Sequence, residues 1–383
     1  MRRSTLRTTI AVVTAGLTLT ACGSGGDAGS GSGGGDGSDA ATATSVEDFG
    51  GMDALVEAAQ AEGELNVIAL PPDWANYGEM LETFSEKYDI EINSASPDGS
   101  SQDELNAVES QKGQDRAPDV LDLGTAFARQ AQAQGLTAPY QVQTWGEIPE
   151  DQKDPEGHWY NDYGGYISIG CNASVVDECP TTFADLLDPQ YAGQVALNGN
   201  PTQAAAAFSG VWAASLANGG SLDEIGPGID FFGRIKDVGN FNPVEITPAT
   251  IQSGETPISI DWDYLNAGLT ETLADQGVEW EVAVPSDGLF GSYYSQAISK
   301  FAPHPAAARL WQEFLYSDEG QNIWLNGGAR PVRLPAMEEA GTADADALAA
   351  LPEVQGTAKF PTEEQQTAAQ AVVAERWNAE MSG

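Results

Sequence analysis

The chain has 383 residues, with 57 Asp and Glu against 16 Lys and Arg and a formal net charge of −41. That length fits two domains or one large two-lobed body, and so negative a surface argues against nucleic-acid phosphates or an anionic membrane as the main partner. Two His and three Cys leave little material for a His-rich metal site or a zinc cluster, and no apolar run beyond residue 30 is long enough to span a bilayer.

The chain opens on a basic stretch, Arg2, Arg3 and Arg7, followed by a short apolar run over 10–19. This reads as an export signal rather than a spanning helix. Leu19-Thr20-Ala21-Cys22 resembles the bacterial lipobox. By that resemblance the signal (1–21) is removed and Cys22 is lipidated, which leaves the protein exported and anchored to the outer face of the cell membrane. Residues 22–48 are rich in Gly, Ser and Asp and are expected to form a flexible tether.

The body is expected to start near Phe49. Apolar spacing predicts helices over 52–63, 77–88, 102–111 and 127–134, alternating with strands over 65–70, 90–92 and 119–123. Residues 140–165 read as irregular. A second series follows, with strands over 166–170, 195–197, 256–262, 280–284 and 296–299. Its helices fall over 183–187, 203–216, 228–238, 264–277, 305–316, 318–325 and 362–381. Strands alternating with helices imply an α/β fold with mostly parallel sheets flanked by helices. Export implies an oxidising compartment, so Cys171 and Cys179 are expected to form a local disulfide, the alternative being two buried thiols.

No nucleophile elbow, phosphate loop, HExxH or GxGxxG motif is present. His158 and His304 read as structural or surface residues. In open α/β sheets ligands bind at the carboxyl ends of strands. Those ends collect Asp73, Trp74 and Tyr77, then Thr125, then Asp162 and Tyr163 in the irregular stretch. Later ends add Asn200 and Thr202, then Asp261, Trp262, Asp263 and Tyr264, and finally Tyr294. Core packing is the competing reading for each ring alone. As a set, aromatic faces with carboxylates suit a small polar ligand bearing an amine.

From Glu64 onward the chain resembles the extracellular solute-binding proteins of bacterial ABC importers, in the group with thiamine-, polyamine-, phosphonate- and ferric-ion-binding members. The resemblance rests on Glu64-Leu65-Asn66-Val67, Ala117-Pro118-Asp119-Val120, Gly135-Leu136-Thr137-Ala138-Pro139-Tyr140, Tyr166-Ile167-Ser168-Ile169-Gly170, Thr182-Phe183-Ala184-Asp185-Leu186 and the helical stretch over 301–321. It implies a two-lobed, type II periplasmic-binding-protein-like fold with the ligand cleft between the lobes. The first lobe is expected over 49–168 and 286–383 and the second over 169–285, with hinges near 166–170 and 284–290.

The implied partners are a small-molecule solute, the transmembrane subunits of an ABC permease and, through the lipid anchor, the membrane. No nucleic acid, cofactor, metal or catalysis is implied, and the chain is expected to be a monomer. Trp74-Ala75-Asn76-Tyr77 and Trp262 resemble positions of polyamine binders. The carboxylate those proteins carry in the last crossover falls at Tyr294, with Asp263 as its expected substitute. The adjacent tyrosines of ferric binders have no counterpart at 261–264, and Tyr293-Tyr294 lies in a later segment. The alternatives are an aminophosphonate, phosphate-ester or ferric-ion binder, an aminophosphonate using the helix start after Asn200, or, in a different class, an exported hydrolase working with paired acids.

Overall fold

The computed structural model describes residues 40–382 apart from 357 and 359. The expected signal peptide, Cys22 and the tether up to residue 39 lie outside the described residues. The rest of the expected tether is packed: Ala40, Ala43 and Val46 are buried, and the buried Arg309 guanidinium donates to the carbonyls of Ala41 and Ala43. The folded body thus begins before Phe49, because Arg309 needs acceptors that this segment's backbone supplies.

Helix α1 (Met52–Glu62) ends at Gly63, whose positive φ of 76° suits glycine. Strand β1 (Glu64–Ile68), helix α2 (Tyr77–Tyr88), strand β2 (Glu91–Ala95) and helix α3 (Ser101–Gln111) follow. Next come β3 (Val120–Gly124), α4 (Thr125–Ala133), β4 (Thr137–Ala138) and the long β5 (Tyr160–Asn172). The second series runs β6 (Val195–Leu197), α5 (Ala205–Ala217), α6 (Gly226–Asp237), β7 (Phe241–Asn242), α7 (Pro248–Gln252), β8 (Ile258–Trp262), α8 (Asp263–Asp275) and β9 (Trp280–Ala283). The chain then returns through β10 (Gly291–Ser299), α9 (Pro305–Leu315), α10 (Asp318–Asn326), β11 (Arg330–Pro331), α11 (Leu334–Ala340), α12 (Ala345–Ala350) and α13 (Glu363–Ser382).

β1 and β2 form a parallel pair. The large sheet has the order β3–β10–β5–β8–β6–β7, with β4 on β10 and both β9 and β11 on β5. The parallel pairing expected from the βα alternation holds for β1–β2 and for β7–β6–β8, whereas β5 and β10 run antiparallel to their neighbours. β5 belongs to both halves. Up to Tyr166 it pairs with β10 and β11, and from Ile167 it pairs with β8 and β9. The partner change falls at 166/167, with Ile167 N donating to Phe290 O (3.0 Å).

β5 begins at Tyr160, inside the stretch read as irregular. Tyr293 faces Gly164 and Ser295 faces Asn161, so Tyr294 stands opposite both Asp162 and Tyr163. This β-bulge breaks the two-residue alternation that marks a strand in sequence. The closing helix also departs from the expected boundaries. Residues 286–383 were assigned to the first lobe, but α13 lies on α6 of the second series. Trp377 packs edge-on to Phe232 (5.5 Å) and Arg376 pairs with Asp230 (2.5 Å). His304 flanks the start of α9, with its Nδ1 2.8 Å from Asp119 Oδ2.

Cys171 and Cys179 are bonded, with their Cα atoms 5.9 Å apart and eight residues of separation. A loop of this length is worth about 2–3 kcal/mol of unfolded-state entropy. Reduction should add two hydrogens to the intact mass and lower the urea midpoint.

Candidate functional site

The aromatic strand-end residues converge on one cluster. Trp74 follows β1, where the turn holds Ala75 and Asn76 at positive φ (47° and 65°) before α2 begins. Its indole Nε1 donates to the Tyr163 hydroxyl (2.8 Å). The bulge in β5 turns Asp162 and Tyr163 to the same face, so that Tyr163 stacks on Tyr294 (5.6 Å, 6° between planes). From the second series, Trp262 ends β8 and Tyr264 opens α8, their rings stacked at 6.2 Å. The two groups meet edge to face: Trp74 with Tyr264 (6.3 Å), Tyr163 with Tyr264 (5.7 Å) and Trp262 with Tyr294 (6.2 Å). Such pairs add about 0.5–1.5 kcal/mol each beyond buried area.

Carboxyl groups sit against these rings. Asp122, in the middle of β3, accepts the hydroxyls of Tyr77 and Tyr163 on Oδ2, each at 2.9 Å. Its other oxygen, Oδ1, is buried without a hydrogen-bond partner, as are Tyr264 Oη and Trp262 Nε1. Asp162 accepts from Gln296 Nε2 (2.9 Å), which also donates to Tyr77 Oη (3.1 Å). Glu104 accepts the Asp122 amide (2.9 Å). Asp261 accepts from Asn198 Nδ2 (2.8 Å) and the Trp262 amide (2.8 Å). Burial pushes Asp122 up, and burial plus the charge of Asp122 pushes Asp162 up further. Burial also raises Asp261, from 3.8 to about 7.

Asp263 does not stand free, contrary to its expected role as the substitute carboxylate. Arg330 Nη1 lies 2.6 Å from its Oδ2 and the Tyr166 amide donates to its Oδ1 (2.9 Å). The pair ties the start of α8 to the strand at the partner change. Gly165 is needed there, since a Cβ would fall 2.4 Å from Asp263 Oδ1 and 2.7 Å from the Tyr264 ring.

Other expected residues also fall outside the cluster. Asp73 is exposed on the turn. Thr125 is buried and donates to Asn161 Oδ1 (3.1 Å) and Tyr293 O (2.9 Å), beneath β10. Asn200 and Thr202 form a local turn, with the Thr202 amide and hydroxyl both donating to Asn200 Oδ1 (3.0 and 2.9 Å); α5 starts later, at Ala205. Tyr293 and Tyr294 point apart, Tyr293 towards Phe360 (5.7 Å) and Tyr294 into the cluster. Asp122, Gln296 and Glu104 carry no expectation from the sequence, whereas Asn198, at a strand end like Asn200, does reach Asp261. Asp122 did carry a signal, as a lone acid inside an otherwise apolar strand that must either find partners or shift its pKa.

The raised pKa values have a signed consequence. An acid whose folded pKa exceeds its unfolded value binds more protons when folded, so stability is lost as pH rises through that interval. For Asp261 the interval runs from 3.8 to about 7. The melting temperature should therefore fall from pH 5 to pH 8, and Asp261→Asn should flatten that slope. An unchanged slope in the variant would show that Asp261 does not titrate there.

Residues 115–355 match the family described as bacterial extracellular solute-binding protein. No curated protein sequence matches the chain. Among solved structures, similarity extends to the periplasmic binding protein AfuA from Actinobacillus pleuropneumoniae with fructose-6-phosphate bound (20% identity, 83% of this chain and 99% of that one, TM-score 0.66). It extends also to the binding protein AgtB from A. tumefaciens R10 in complex with agropinic acid (16%, 84% and 99%, 0.65). A third is iron-bound HitA from Pseudomonas aeruginosa (18%, 81% and 99%, 0.59). At these identities the likeness concerns the fold.

Proposed function

The chain belongs to the bacterial extracellular solute-binding proteins, and from that premise we propose that it captures an amine-bearing solute in the aromatic cluster between its two halves. It is a binding protein, not an enzyme, and serves as the exported solute-binding component of an ABC import system. Its relatives by fold carry a sugar phosphate, an opine and iron, so the ligand class must come from this chain's own residues.

The observation that carries the reading is the set of carboxyls Asp122, Asp162 and Asp261 around aromatic faces. Among the contacts that hold them, none is to Lys or Arg. A buried acid without a basic partner stays protonated or waits for a cation. An ammonium would gain ring-face attraction of about 0.5–2 kcal/mol and a charge-assisted hydrogen bond of about 1.5–3 kcal/mol. Trp74, Tyr77, Tyr163 and Tyr294 come from one half; Trp262 and Tyr264 come from the other. Rotation at 166–170 and 284–290 would part the two sets, admit the solute and close on it. The lobe boundaries follow that division, with α13 assigned to the second lobe.

A thermal-shift screen of putrescine, spermidine, thiamine, 2-aminoethylphosphonate, fructose 6-phosphate and ferric citrate tests this, because a ligand of the folded state raises its melting point. An amine should give the largest shift. A shift by fructose 6-phosphate or ferric citrate alone would overturn the reading.

A second reading rests on the uncapped starts of α4 and α5. Gly124 and Ala204 provide no side-chain cap, and a Cβ on Gly124 would lie 2.5 Å from Ala205 Cβ. Two helix N-termini meeting across the halves favour an anionic group, and an aminophosphonate would use both features.

The anchor is proposed at Cys22. Cys22→Ala should release the protein into the medium or leave unprocessed precursor in membrane fractions. Processed variant retained on the membrane would refute it.

A further inference from the structure

A cavity of about 270 Å³ opens on the Thr125 side of β10, against the segment that leads into α13. A void of about 20 Å³, sharing Thr125, Ser292 and Tyr293 with it, continues to Trp262 at the edge of the aromatic cluster. The cavity's outer wall comes from the far end of the chain, where Phe360, Pro361 and Gln366 face Thr125, Ser292 and Tyr293.

This wall is built from both halves. The later turns of α13 are fixed to α6 by Arg376–Asp230 (2.5 Å), by Trp377 on Phe232 (5.5 Å) and by Lys236 Nζ donating to the Glu380 carbonyl. Its leading segment reaches the other half. Arg129 Nη1 on α4 donates to Gln366 Oε1 (3.1 Å), and the Phe360 ring lies 5.7 Å from Tyr293. Phe360 is one of three large hydrophobic side chains left exposed among the described residues, at 47%. A half-exposed ring at a cavity mouth is explained if a solute or a closing wall covers it. The match to the solute-binding family ends at 355, so the wall lies beyond the matched region.

We propose that residues 360–366 are a specificity-determining wall of the solute cavity, one that limits the length of the solute tail extending from the aromatic cluster. The proposal rests on the reading of that cluster as the amine site. At about 270 Å³ the cavity lies just below the usual range of ligand sites, about 300–1,000 Å³, so moving one ring changes what fits.

Full-length protein tests it in two arms. Calorimetry with putrescine and spermidine compares wild type, Phe360→Ala and the double variant Phe360→Ala/Gln366→Ala. The single variant alters a half-exposed residue and keeps the test open if the double variant misfolds. The spermidine-to-putrescine affinity ratio should rise at least tenfold. The second arm needs no ligand. Ser292→Cys on the cavity lining is labelled with a maleimide, and peptide mass mapping separates that site from the other cysteines. Adding Phe360→Ala should speed labelling about tenfold. Wild type binding neither amine would overturn the amine reading and leave labelling to decide the wall. An unchanged affinity ratio or an unchanged labelling rate overturns the wall.

Discussion

Replacing Asp122 by Asn should lower affinity for the best amine of the screen by one to two orders of magnitude while the fold survives. The side chain keeps its volume, and its amide oxygen can still accept from Tyr77 and Tyr163, which now converge on Oδ2 at 2.9 Å each. What is lost is the negative charge behind Oδ1, the oxygen without a partner. A charge-assisted hydrogen bond is worth about 1.5–3 kcal/mol, and each ~1.4 kcal/mol is tenfold in affinity. Because burial raises Asp122 to about 6 and Asp261 to about 7, the wild-type amine affinity should itself climb from pH 5 to pH 8 as these two groups lose protons. In Asp122→Asn that climb should be shallower. Wild-type affinity and slope in the variant would remove Asp122 from the site.

Arg330→Met should destabilise the folded chain by about 3–5 kcal/mol, the cost of leaving one buried charge without its partner. Asp263 is fully buried, and Arg330 is its only ion-pair partner among the described residues. Arg330 also donates to the Pro352 carbonyl (3.0 Å) and lies over the Tyr166 ring (4.8 Å), so part of the loss is packing. The double variant Arg330→Met/Asp263→Asn should recover much of the stability, since the stranded charge is gone. A denaturation series of the two variants checks this. A double variant no more stable than Arg330→Met would mean that packing, not charge, dominates.

The α/β alternation was legible where short apolar runs are bounded by Gly or Pro, as at Gly63 and Pro71. The disulfide was legible from export and the count of body cysteines. Trp74, Tyr163, Trp262, Tyr264 and Tyr294 were legible as strand-end residues, and the fold gathers them. The start of β5 was not, because the bulge at Asp162 and Tyr163 removes the alternation. The role of Asp263 was hidden because Arg330 is 67 residues away in sequence, and no local pattern records such a pair. Asp122 was read as strand interior, since only the folded sheet brings Tyr77 and Tyr163 to it. Ala40 to Asp48 reads as tether because its composition is mostly small and polar. It is ordered by the buried Arg309, a tertiary effect.

A crystal structure of the protein with its best amine bound decides whether the aromatic cluster holds the solute. The ammonium nitrogen is expected about 2.7–2.9 Å from the Asp122 or Asp261 carboxylate, with Trp74 or Tyr294 on one side and Trp262 or Tyr264 on the other. An amine seated away from these rings, with the carboxyls of Asp122, Asp162 and Asp261 untouched, would contradict that placement.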